Sequence, residues 1–228
     1  MSADRIARGF DFIAPYYDFC SNLIFGKSLL RAQYRYFKSI ETADSVLILG
    51  GGTGELLLPL SKYIQFEHLT YLDISPRMIS LAVQHGDSLR IDAENKIEFI
   101  AGSTELLPEN KRYSLIITPF VLDCLSKESL AKVMIQLDHH LKPGGIWLFS
   151  DFNVSKDNGR SSVLNHAMIK FLYLVFNLFC HLGIWQLPHF NEAFRKLGYT
   201  ALQESHSLGG LLVSRAYQKP TSIDQQYQ

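Results

Sequence analysis

The chain has 228 residues, 47% of them hydrophobic and 19% charged, with 22 basic side chains against 22 acidic ones. That length and composition suit one large domain with a substantial core and exclude a globally disordered chain. The charge balance excludes recruitment of nucleic acid or an anionic membrane by net charge alone. Cys20, Cys124 and Cys180 are scattered, with neither a metal spacing nor a disulfide framework, and Met1 to Arg8 lack the apolar core of a signal peptide. A reducing, cytoplasmic setting is expected, with no metal.

Residues 5–40 read as helical, with aromatic residues and Leu at mixed three- and four-residue spacing. From position 46 onward strand-like and helix-like segments alternate. Strands are expected at Val46–Leu49, Leu69–Ile74, Ile97–Ala101, Tyr113–Thr118 and Ile146–Asp151, and helices at Glu55–Tyr63, Pro76–His85 and Lys127–Leu141. Pro76 suits a first helical turn, where its missing N–H is not needed, and Ser75 suits the cap before it. Lys142-Pro143-Gly144-Gly145 should stop the third helix and turn the chain into the next strand. The alternation implies an α/β fold, a mostly parallel sheet with helices on both faces. Leu202–Ser207 and Leu211–Gln218, separated by Leu208-Gly209-Gly210, suggest an antiparallel hairpin at its edge.

One segment breaks the alternation. Phe171 to Asn191 contains no Asp, Glu, Lys or Arg. Asn177, His181, Gly183 and Gln186 interrupt it and Pro188 closes it, so it falls short of a clean membrane span. It is expected as a helical insertion packed on the domain, either core or a lid over an apolar substrate. The chain thus reads as one domain over 1–228: a helical cap (1–44), a cofactor-binding core (45–152), a helical insertion or lid (153–190), and a last helix with the hairpin (191–219).

The chemistry starts at Val46-Leu47-Ile48-Leu49-Gly50-Gly51-Gly52-Thr53-Gly54-Glu55. A buried aliphatic strand runs into glycines that let a ligand approach the backbone, and then into a helix whose first N–H groups are free. A dinucleotide fingerprint, G-x-G-x-x-G, would need a third glycine at position 55, where Glu55 stands. A phosphate-free nucleoside cofactor such as S-adenosylmethionine fits better. Asp73 ends the next strand, ~20 residues downstream, where an acid can accept hydrogen bonds from ribose hydroxyls.

These motifs together resemble the class I S-adenosylmethionine-dependent methyltransferases, over roughly residues 10–218. Within them the chain is most similar to the ubiquinone/menaquinone biosynthesis C-methyltransferases. The likeness rests on Gly51-Gly52-Thr53-Gly54-Glu55-Leu56, on the Phe10–Asp18 region with Phe25-Gly26, on Leu141-Lys142-Pro143-Gly144-Gly145, and on Leu208-Gly209-Gly210 with Arg215-Ala216-Tyr217. The resemblance implies a Rossmann-like fold and S-adenosylmethionine as cofactor. It implies that Gly50, Gly51, Gly52, Thr53 and Gly54 hold the methionine end and that Asp73 holds the ribose. Ile74, Met78, Ser103 and Thr104 would surround the adenine, Pro119 and Phe120 would face the sulfonium, and Tyr16 or Tyr17 would cover the site. The chain departs from the superfamily at Ile48, Ser103 and Ser114, where acidic or amide residues are common, and residues 155–190 show little likeness.

The expected acceptor is a small, largely apolar molecule, quinol-like or lipid-like, with no nucleic-acid partner. An O- or N-methyltransferase of an aromatic metabolite and a non-catalytic or membrane-associated binding module are the alternatives. The cofactor carries the activated group, so the protein mainly positions the acceptor. A base that ionises an acceptor hydroxyl would still help, and Asp151, His181 and His189 are the candidates. Asp123-Cys124 falls in a strand-end loop, with Cys124 read as buried rather than nucleophilic.

Overall fold

The computed structural model describes residues 3–89, 96–153, 160–180 and 182–221. Two helices, α1 (Ala3–Phe25) and α2 (Ser28–Gln33), precede the sheet. Then come β1 (Thr42–Leu49), α3 (Leu57–Tyr63), β2 (Gln65–Asp73), α4 (Pro76–Leu89), β3 (Lys96–Ala101), β4 (Tyr113–Pro119), α5 (Lys127–His140) and β5 (Leu141–Phe152). The chain ends with α6 (Arg160–Cys180), α7 (Phe190–Lys196), β6 (Thr200–Ser207) and β7 (Leu212–Gln218).

The sheet order is β3-β2-β1-β4-β5-β7-β6. The first five strands are parallel, and β7 runs antiparallel between β5 and the edge strand β6. The order reverses between β1 and β4, so a crevice opens beyond the carboxyl ends of the central strands. Alternation along β1 sets the two layers. Val46 and Ile48 pack with Leu57, Leu60, Ile79 and Ala82 of α3 and α4. Leu47 and Leu49 face the other way, toward Leu130, Met134 and Leu137 of α5 and Phe194 of α7. Burial of both faces explains why β1 reads as an unbroken aliphatic run. Ile48 is fully buried in the first layer.

Local signals hold at several points. Ser75 Oγ accepts the Met78 N–H at 3.0 Å, which caps α4. The hairpin forms with Leu208, Gly209 and Gly210 all at positive φ. Lys142–Gly145 is a correction to the sequence reading. The run lies inside β5 rather than before it: Leu141 already pairs with Tyr113, and the register resumes with Ile146 opposite Leu115. The extra residues form a bulge, and its free groups meet the chain's end, with Gly144 N–H donating to Lys219 O at 3.0 Å and Lys219 N–H to Gly145 O at 2.9 Å.

A third apolar layer closes the carboxyl end of the sheet. Phe25 of α1, Leu29 and Ala32 of α2, Phe152 of β5, Ile169, Leu172 and Tyr173 of α6, and Leu212 of β7 pack together. Helix α6 packs on the domain through these residues, and α1 lies against it. The two helices approach closely at Gly9, where an added Cβ would stand 2.3 Å from the Cys180 Cα and 2.6 Å from the Phe179 carbonyl. Backbone cannot yield cheaply there. Gly9→Val should destabilise the fold by roughly 1–3 kcal/mol and open the α1–α6 cover first. Thermal unfolding combined with limited proteolysis checks this, the expected result being early cleavage in α1 or α6 while the sheet stays protected.

Candidate active site

The glycine turn continues β1 by one bond, Gly50 N–H donating to Leu72 O at 2.7 Å. Gly52 has φ +64, and no atom lies within 4 Å of where a Cβ would stand, so its backbone faces open space. Gly54 serves packing instead, with Ala82 Cα of α4 2.9 Å from its would-be Cβ. The turn is bound to the end of β2: Gly52 N–H donates to Asp73 Oδ2 at 3.0 Å, and the Tyr71 hydroxyl donates to Gly52 O at 3.3 Å. Ser75 N–H donates to the other Asp73 oxygen at 3.0 Å. Asp73 is buried, and loss of solvent pushes its carboxyl pKa up against the lowering effect of these two N–H groups.

Two acids of α1 close this end of the crevice. The Thr53 hydroxyl donates to Asp18 Oδ1 at 2.7 Å. Asp11 Oδ1 accepts from the Ser75 hydroxyl at 2.5 Å and from the Arg77 N–H at 3.0 Å, a carboxylate set on the N-terminus of α4. Asp11 and Asp18 stand seven residues apart on one face of α1. That spacing was a readable signal, but their partners are remote in sequence.

Between these elements lies a cavity of about 510 Å³. One part of its wall is Gly50, Gly52, Asp73, Ile74, Met78, Gly102, Ser103 and Thr104. The opposite part is apolar and comes from the helices, including Phe10 and Ile13 of α1 and Leu172 and Phe176 of α6. Tyr16, Tyr17 and Phe120 also line it; Phe120 sits at φ +50 with its ring 5.2 Å from that of Phe152. Gly51, Thr53, Gly54 and Pro119 shape the wall from behind rather than lining it. The Thr104 hydroxyl is taken by Gln136 Oε1 at 2.6 Å. Burial and the neighbouring acids push the Tyr17 hydroxyl far above its ordinary pKa, so it stays a neutral donor.

The junction of the two parts holds a buried acid pair. Asp123, in the turn after β4, lines the cavity, and Asp151, near the end of β5, lies behind it and is fully buried. Asp151 accepts the Asp123 N–H at 3.2 Å and the Phe152 N–H at 2.8 Å. The Cys124 thiol donates to Asp123 Oδ1 at 3.3 Å. Desolvation pushes the Asp123 pKa up to about 6, and Asp151 is raised well above the carboxylate range by burial and then by the charge of Asp123. Burial and both acids also hold the Cys124 thiol well above its ordinary pKa, which makes it a poor nucleophile. The hydroxyl of Tyr173 is buried without a hydrogen-bond partner among the described residues. Asp123 escaped selection from sequence because only the adjacency of β4 and β5 brings it to Asp151.

Of the other candidate bases, His189 precedes α7 and lines a separate depression with Glu192, Arg195 and Arg215. His181 lies outside the described residues.

The sequence model of the methyltransferase domain matches residues 47–147, the segment that carries the glycine turn, Asp73 and the acid after β4. A demethylmenaquinone methyltransferase of Chlorobaculum tepidum is 26% identical over 181 residues, 77% of this chain and 67% of its own. Over that segment the chain is similar to methyltransferases. The fold of the chain matches that of a DhpI–SAH complex structure with a TM-score of 0.66 at 15% identity, covering 96% of this chain and 98% of that one. A polyamine aminopropyltransferase of Ralstonia nicotianae is 42% identical over 67 residues, 26% of this chain. The chain spans only 13% of the length of that relative.

The acid pair makes the protein's stability depend on pH. Asp123 titrates at about 6 when folded against 3.8 for an ordinary aspartate, so the folded state binds the proton more tightly. Its contribution to stability is complete below about pH 4 and is lost as pH rises through about 6. Asp123→Asn removes that titration while keeping Oδ1. Urea unfolding should show the variant gaining on wild type by roughly 2–3 kcal/mol between acidic and neutral pH. A gap that stays constant with pH would contradict the assignment.

Proposed function

We propose that the chain transfers a methyl group from S-adenosylmethionine to a small, largely apolar acceptor, quinol-like or lipid-like, that carries an ionisable hydroxyl. The observation that carries this reading is one cavity with two chemically different walls and a buried acid, Asp123, where they meet. The residues present fit the cofactor. Gly52 leaves open space where a side chain would intrude, and each Asp73 oxygen keeps a lone pair beyond its one backbone bond. When bound, S-adenosylmethionine supplies a methyl group already activated on sulfur.

In this reading Asp73 accepts hydrogen bonds from the ribose, and Ile74 and Met78 give the adenine an apolar floor. Ser103 offers a hydroxyl beside it. Tyr17 and Phe120 cover the reacting end and exclude water. Asp123 accepts the proton of the acceptor hydroxyl on its carboxylate, which leaves the acceptor oxygen, or the ring conjugated to it, electron-rich. A carboxylate raised toward neutrality suits this role better than one at the ordinary value. Asp151 acts through Asp123, by holding its backbone N–H. The likeness to a demethylmenaquinone methyltransferase supports the quinol-like acceptor.

Titration calorimetry with S-adenosylmethionine tests the cofactor half. Asp73→Asn should weaken binding by about tenfold or more, as expected for loss of a charged acceptor; an unchanged affinity would sink the assignment. Turnover tests the other half, with a demethylated naphthoquinol as probe. Asp123→Asn should lower kcat by about 10²-fold or more with cofactor affinity intact, and the wild-type rate should rise with pH through about 6. Turnover indifferent to Asp123 would point instead to an acceptor with no proton to lose, an amine or a preformed anion.

A further inference from the structure

We propose that the outward face of α1 and α6 docks on a lipid bilayer and presents the cavity mouth to it, so that the apolar acceptor enters from the membrane. The second clause rests on the function proposed above; the docking itself does not.

Each helix carries an exposed apolar stripe. On α1 it is Phe12, Tyr16, Phe19 and Leu23, at spacings of four, three and four, with Phe19 71% and Leu23 74% exposed. On α6 it is Leu164, Phe171, Leu174 and Leu178, with Leu178 66% exposed. The stripes join where the exposed rings of Phe12 and Phe179 stack, 5.8 Å between centroids and 14° between planes. Together they form one face, far beyond the isolated apolar residues normal on a soluble surface.

The face is continuous with the cavity. Phe12, Tyr16, Ile24 and Phe179 are exposed and also line it, so apolar side chains run from the surface into the interior. A molecule dissolved in hydrocarbon could pass from one to the other without crossing water.

Charge on the face suits an anionic bilayer rather than another acidic surface. α6 has no Asp or Glu. Asp11 and Asp18 of α1 are turned inward, onto Ser75, Arg77 and Thr53. The exposed cations Arg5, Lys27 and Lys170 stand around the stripes. Apolar insertion flanked by basic groups is the pattern of a helix lying in the interface plane. Trp185, 63% exposed just after α6, adds an indole of the kind that settles at the headgroup boundary.

α6 is long and apolar enough to cross a membrane, its Val163–Cys180 window having a mean hydropathy of 1.5. It is nonetheless fixed to the domain. Ile169, Leu172 and Tyr173 are buried against the sheet end, and Asn165 Nδ2 donates to Gly209 O at 3.0 Å. A helix tied along one side in this way lies on a bilayer; it does not span one.

Flotation of the full chain with phosphatidylethanolamine–phosphatidylglycerol vesicles tests the proposal. Wild type should float with the vesicles, and Phe19→Glu and Leu178→Glu, both outside the cavity wall, should each lower the bound fraction by about tenfold. Trp185 fluorescence should be quenched by brominated lipid in the same vesicles, a readout on wild type that needs no variant, since Trp147 is buried. S-adenosylmethionine calorimetry on the same variants reports folding and keeps the two proposals apart: vesicle binding without cofactor binding would overturn only the proposed function, and the reverse only the docking. Absence of flotation, flotation indifferent to both substitutions, or a dimer in light scattering that both substitutions dissolve would overturn the bilayer as the occupant.

Discussion

The Asp73 carboxylate is the group on which this architecture turns. It is nearly withdrawn from solvent, and an uncompensated charge there would be expensive. Its compensation comes from the N–H groups of Gly52 and Ser75, so the loop after β1 and the loop after β2 are fixed relative to each other by one side chain. Ser75 in turn caps α4 and donates its hydroxyl to Asp11. The glycine turn, the start of α4 and the docking of α1 are thus linked through a few hydrogen bonds around one acid. Removing that acid would leave the N–H groups of Gly52 and Ser75 unpaired, the second of them buried, and its loss would be felt as local disorder of the polar wall.

The cavity divides its labour between sheet and helices. The sheet end supplies polar backbone, Asp73 and Ser103 at positions that strand register makes rigid. The helices α1 and α6 supply the apolar wall, and they are held by ring packing and by the close approach at Gly9 rather than by the sheet ladder. Such a cover can vary in shape without disturbing the sheet end. This is a physical reason for the family match to fall on 47–147, the segment that carries the polar wall.

The same division decides what the sequence made legible. The strand–glycine–helix run and Asp73 were readable because their chemistry is local: a turn, a cap and an acid ending a buried strand. The hairpin at Leu208–Gly210 was readable for the same reason. Lys142–Gly145 misled because a Pro-Gly-Gly run signals a turn and a bulge alike, and only the pairing of Leu141 with Tyr113 decides between them. Asp123 and the inward aim of Asp11 and Asp18 were not legible, since each depends on a partner far along the chain. In the apolar stretch after Phe171, composition announced an unusual helix, and only packing shows that one of its sides is core and the other bare.

Two departures from ordinary globular chemistry flank the cavity. Two carboxylates are buried beside each other; burial raises both, the charge of Asp123 adds to the rise at Asp151, and the fold is weakened at neutral pH. Large apolar side chains stand exposed along α1 and α6, which lowers solubility without adding to the core. Selection for stability alone would remove both by single substitutions, an amide for Asp123 and polar residues for Phe19 or Leu178. Both lie at the ends of one continuous path, from the outer helix face through the mouth to Asp123. A path that begins apolar and ends at a proton acceptor is suited to a molecule that is mostly hydrocarbon with one acidic hydroxyl, and it is poorly suited to a polar metabolite that would have to shed its water at the entrance.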